Sequence, residues 1–215
     1  MEYLEHIQAL EEKLKNPVKG IPISFPTFRK YYPYFEKGHR ILLCGDFGLG
    51  KSTIAIKSFI LDNIEYILNN PSLDLRVYYF SIELHRSVVL SKIYLYLIAK
   101  YLNKEYSLTE LMNPSTSETL EDIKRMSPKM EKIKEKLIIK DSIQSPTEIY
   151  QYMISEMKKY GTLKSAPDGS KIFTYTNPNL HIFCITDTIN ALNPDPGLSE
   201  FESMKRWSKN YCKLG

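Results

Sequence analysis

Eight consecutive residues, Gly45-Asp46-Phe47-Gly48-Leu49-Gly50-Lys51-Ser52, match the pattern G-x-x-x-x-G-K-[ST]. Glycines at these spacings let successive backbone N–H groups curl around a phosphate at the start of a helix. Lys51 then reaches the β and γ phosphates, Ser52 offers its hydroxyl to a Mg²⁺ ion that bridges them, and Thr53 completes the first turn. The chemistry implied is binding of a nucleoside triphosphate with Mg²⁺.

A loop of this kind cradles phosphates and does not activate water. Turnover needs one carboxylate to organise the metal and another to orient the nucleophile. Asp187 directly follows the apolar run Ile182-Phe-Cys-Ile-Thr186, and Asp141 follows Leu137-Ile-Ile139 with Lys140 interrupting. Metal-binding carboxylates follow buried strands, so Asp187 is the preferred metal ligand; Asp141 reads as a loop or capping residue. Glu83, two residues beyond Val77-Tyr-Tyr-Phe-Ser81, could serve as general base across the γ-phosphate. It could equally be a glutamate that favours the dipole of the next helix.

These residues need a scaffold that gathers them. Arg40-Ile-Leu-Leu-Cys44 reads as a strand buried on both faces, and Lys51 to Leu68 as the helix that follows the loop. Further strands are expected over Val77–Ser81, Lys136–Asp141 and His181–Thr186, and helices over about His85–Leu102 and Ser145–Tyr160. Ser145-Pro146-Thr147-Glu148 opens the second of these, and Ser199 with Glu202 forms a capping box for a last helix to about Lys213. The alternation predicts an α/β fold: a mostly parallel sheet flanked by helices, with ligands at the carboxyl ends of the strands.

Other segments interrupt that core. Tyr3, Ile7, Leu10 and Leu14 share a face of a short amphipathic helix that Asn16-Pro17 ends; it folds back on the domain or docks on a neighbouring subunit. The aromatic and proline-rich stretch 20–38 reads as a loop with a short turn of helix that covers an edge of the core. Asn103 to Glu135 reads as irregular structure with one or two short helices. Pro167-Asp168-Gly169 marks the turn of an inserted hairpin, whose Lys158, Lys159, Lys164 and Lys171 form a solvated basic face, a nucleic-acid contact being the lesser reading.

Composition sets outer bounds. The 215 residues, 43% of them hydrophobic, suffice for one sizeable α/β core, and a formal charge of +4 is ordinary. No apolar run approaches the 18 or so residues of a membrane helix, and the acidic start is unlike a signal peptide. Cys44, Cys184 and Cys212 are far apart, and the first two lie in apolar runs. They read as buried reduced thiols, which points to the cytoplasm.

Taken together, the loop Gly45–Ser52, the segment Phe80-Ser-Ile-Glu-Leu84 and the strand ending at Asp187 before Thr188-Ile-Asn-Ala-Leu192 resemble the RecA superfamily, most closely the DnaB-like replicative helicases, phage primase-helicases included. The resemblance spans roughly residues 20–215. It implies a RecA-like P-loop ATPase core over 20–215 with a linker-like helix over 1–19. It further implies Glu83 as catalytic base beside Lys51, Asp187 with Ser52 as Mg²⁺ ligands, and a homo-oligomeric, hexameric ring that moves 5′ to 3′ on single-stranded DNA in replication, in the host cytoplasm if phage-encoded. A recombinase-like DNA-dependent ATPase and a nucleotide-binding assembly module without turnover are the alternatives.

That family continues with a strand bearing a γ-phosphate sensor, DNA-binding loops and an arginine acting on the neighbour's nucleotide, and none of these occurs here. In the wider RecA class the sensor strand lies between the P-loop strand and the metal-aspartate strand. The expectation is therefore an open sheet centre, with each buried unpaired backbone group costing about 1–3 kcal/mol, and a chain that is a fragment of a longer helicase or is completed by a partner.

Overall fold

The computed structural model describes residues 2–15, 20–46, 48–165 and 171–212. Helix α1, Glu2–Lys15, carries exposed Tyr3, Leu4, Ile7, Leu10 and Leu14. A two-stranded ribbon of β1, Ile21–Pro22, and β2, Tyr34–Phe35, brackets the short α2, Pro26–Arg29. The stretch read as a covering loop sends Ile21, Ile23 and Phe35 into the main core.

The helix after the P-loop is continuous in three parts: α3, Lys51–Ile54; a π-helical stretch, Ala55–Leu61; and α4, Asp62–Leu68. Strand β3, Asp74–Ser81, leads through the N-cap His85 into α5, Arg86–Leu102. Then come α6, Leu108–Met112; α7, Ser117–Lys134; and β4, Leu137–Lys140. Helix α8, Pro146–Met157, starts at the expected capping box of Ser145 and Glu148. The hairpin forms as β5, Gly161–Ser165, antiparallel to β6, Lys171–Tyr175; its turn residues, 167–169, lie outside the described residues. Strand β7, Leu180–Asp187, and α9, Glu200–Cys212, complete the order, and Ser199 exchanges the expected bonds with Glu202.

The central sheet is parallel and ordered β4-β3-β7, with β3 in the middle. Strand side chains alternate between faces, and the core divides accordingly. Leu75, Val77, Tyr79, Leu137, Ile139, Phe183 and Ile185 pack with the P-loop helix, α5 and α7 on one face. Tyr78, Phe80, Ile138, Ile182 and Cys184 pack with Ile149, Met153 and Met157 of α8 on the other. The protein is thus a mixed α/β structure with a three-stranded parallel sheet flanked by helices. Among the described residues no helix is long and apolar enough to cross a membrane.

Three expectations differ from the structure. Residues 40–44 form no strand: they belong to no sheet, Ile41, Leu42 and Leu43 are 52, 68 and 39% exposed, and the Cys44 thiol is exposed too. A strand exists only where a neighbour takes its backbone groups, and β7, the nearest candidate, pairs with β3 alone among the described residues. Cys184 is half-buried, and the side chain of Cys212 lies outside the described residues. Residues 103–135 are more regular than expected. Thr116 caps an 18-residue α7, and Thr119, Asp122, Met126, Met130 and Ile133, three or four residues apart, form its buried stripe. The charge of the segment hides that stripe. Asp122 is satisfied in the interior by Lys104 at 2.6 Å and the Tyr106 hydroxyl at 2.8 Å.

His181 is buried at the start of β7, and burial together with the nearby Lys37 ammonium pushes its pKa down to about 4 from 6.5. The folded state holds the imidazole neutral while the unfolded chain protonates it. Its contribution to stability is therefore complete above pH 6.5 and is lost as pH falls towards 4. Urea unfolding at pH 7 and pH 5 should show wild type losing about 1–2 kcal/mol more than His181→Gln over that interval. Equal losses would place the imidazole in water.

Candidate functional site

The start of the helix at Lys51, β3 and the β7 end meet on one face of the sheet, at Asp187. Gly48 and Gly50 adopt left-handed φ values of 79° and 78°, which side-chain-bearing residues rarely adopt, and Gly50 caps α3. Lys51 Nζ donates to the carbonyl oxygens of Gly45 and Asp46, at 2.8 Å each, folding the ammonium across the loop. Leu49 is 66% exposed, and Thr53 projects to solvent from the first turn. Phe47 lies outside the described residues.

Ser52 and Asp187, 135 positions apart, are in direct contact: Ser52 Oγ donates to Asp187 Oδ1 at 3.0 Å. The register explains it. Residues 183, 185 and 187 of β7 face the P-loop helix, as does Tyr79 of β3. The buried Tyr79 hydroxyl donates to Asp187 Oδ2 at 2.5 Å, and Thr188 Oγ1 to Oδ1 at 3.3 Å. Burial, then the charges of Asp187 and Glu83, raises the Tyr79 pKa, so the phenol stays a donor at any physiological pH. Sequence reasoning missed Tyr79. Its signal was a polar-tipped aromatic in an apolar strand, two register positions from the aspartate.

Glu83 lies just past β3 on an exposed turn. That turn is fixed at both ends: Ser81 Oγ donates to the Leu84 carbonyl at 2.6 Å, and the Arg86 N–H donates to Asp141 Oδ2 at 2.8 Å. Asp141 also lies 3.5 Å from His85 Nε2, and the Arg86 N–H is the first cause holding its pKa below the ordinary carboxylate range. Asp141 thus serves the start of α5, as a capping residue does, while Asp187 stands with the P-loop. A second residue that sequence reasoning missed is Asp195. It is buried after β7, accepts from Thr147 N–H at 3.1 Å and Thr147 Oγ1 at 2.8 Å, and ties the start of α8 to Arg206 of α9 at 3.4 Å.

No set of three or more His, Cys, Asp or Glu side chains converges on a metal site among the described residues. Among the described residues the Asp187 carboxylate and the Ser52 hydroxyl stand together at the start of α3, oxygen ligands of the kind that suits Mg²⁺, which keeps several waters and takes further oxygens from phosphates. Compared with the models of known protein families the chain matches none, and a search of curated proteins finds no significant relative.

Tyr79→Phe removes a buried donor to a carboxylate and should lower stability by about 1.5–3 kcal/mol in urea unfolding. No change would mean that Asp187 does not depend on the phenol.

Proposed function

We propose that this protein binds Mg²⁺ and ATP at Gly45–Thr53 and hydrolyses the nucleotide, as the motor portion of a DnaB-like, RecA-superfamily DNA helicase. The observation that carries the reading is the 3.0 Å contact between Ser52 and Asp187, which joins the G-x-x-x-x-G-K-S loop to a carboxylate at a strand end.

In this reading the N–H groups of the loop and Lys51 hold the β and γ phosphates, the lysine exchanging the Gly45 and Asp46 carbonyls for phosphate oxygens. Ser52 and Asp187 would hold Mg²⁺, which when bound neutralises charge on the phosphates. Tyr79, donating to Oδ2, keeps Asp187 oriented. Glu83 accepts a proton from water as the water oxygen bonds the γ phosphorus and the bond to the bridging oxygen breaks, with ADP leaving. Assembly into a ring and travel on single-stranded DNA belong to the proposal through the family resemblance.

The exposed Ile41–Cys44 segment favours a second reading for the chain by itself, a nucleotide-binding assembly module without turnover. Two variants separate them. Lys51→Ala should weaken Mg·ATP binding at least tenfold in calorimetry, and unchanged affinity would remove the nucleotide site altogether. Glu83→Gln should keep affinity and lower phosphate release by about 10²–10⁴-fold. Release that is absent in wild type, or equal in the two, would leave the module.

A further inference from the structure

A cavity of about 450 Å³ opens between the P-loop helix and α5. It begins at Thr53, the residue after Ser52, and follows Ile56 and Lys57 to Leu61, roughly 12 Å at the rise of a helix. This wall is the π-helical stretch Ala55–Leu61; such widened turns recur at functional sites. Facing it are Lys92, Leu95, Tyr96 and Ala99 of α5, Glu105 and Tyr106 of the loop that follows, and Leu108 at the start of α6.

The wall chemistry is selective. Both tyrosine hydroxyls are engaged outside the cavity, Tyr96 with Asp62 Oδ1 at 3.1 Å and Tyr106 with Asp122 Oδ2 at 2.8 Å. Their rings are thereby held in place, and with Ile56 and Leu95 they offer aromatic and aliphatic surface. Glu105 is exposed at the rim and adds a carboxylate, which can only accept hydrogen bonds when ionised. A volume of this size lies within the usual range for small-molecule sites, about 300–1,000 Å³.

We infer that this cavity receives the nucleoside of the triphosphate held by the P-loop, the base lying against Tyr96 and Tyr106 and Glu105 accepting from an exocyclic amino group. The site therefore selects an amino-bearing base over uracil. The inference rests on the phosphate-binding reading of Gly45–Ser52 and adds the half of the ligand that this loop does not touch.

Calorimetry on the full chain with Mg·ATP, Mg·UTP and Mg·tripolyphosphate tests it. Wild type should bind ATP at least tenfold more tightly than tripolyphosphate and more tightly than UTP. Ala99→Trp, which fills the cavity from an exposed position, should erase the gain over tripolyphosphate and leave tripolyphosphate binding unchanged. Glu105→Gln should shrink the preference over UTP, and irradiation with 8-azido-ATP should label residues within 92–106. Tripolyphosphate binding as tightly as ATP, an Ala99→Trp protein with the wild-type ratio, or labelling elsewhere would overturn the nucleoside site and leave the P-loop standing. Binding of neither ATP nor tripolyphosphate would overturn both.

Discussion

Asp187 accepts hydrogen bonds from Ser52, Tyr79 and Thr188, and through them it joins the P-loop helix, the central strand and the turn after β7. A carboxylate beside a buried phenol is tolerable only because its oxygens are so well supplied with donors. The parallel register of β3 with β7 makes this possible, since it sets Tyr79 and Asp187 on the same face as the helix that begins at Lys51. The candidate nucleotide site is thus assembled by the sheet, and the loop itself contributes glycine conformations and one lysine.

The same constraint defines what is unusual about the sheet. Lys37 Nζ reaches the Pro178 carbonyl just before β7 begins, and Ser52 meets Asp187 where it ends. Among the described residues, 38–46 and 48–51 join no ladder of β7, and the side chains of Ile41, Leu42, Leu43 and Leu49 are exposed. The expected strand at 40–44 failed for this reason: its composition suits a buried strand, but burial comes from neighbours and not from composition.

What was legible followed from period and punctuation. Strands β3, β4 and β7 announced themselves as short apolar runs, and the caps at Ser145 and Ser199 fell where serine and glutamate stand three apart. Asp187 was preferred to Asp141 on the apolar character of its lead-in, and the structure puts only the first against Ser52. Asp122 and Asp195 have no local pattern, and the weak signal of Tyr79, a polar-tipped aromatic in an apolar strand, gains meaning only from a partner distant in sequence. The stripe of α7 was obscured by its own charges, whose long side chains surround Met126, Met130 and Ile133.

The central claim is that Asp187 and the P-loop form one metal-dependent phosphate site. Titration of ATP with and without Mg²⁺, in wild type and Asp187→Asn, addresses it most directly. The account requires Mg²⁺ to tighten ATP binding by at least tenfold in wild type, and Asp187→Asn to lose that increment while its Mg²⁺-free affinity is kept. The same increment in both proteins would contradict it.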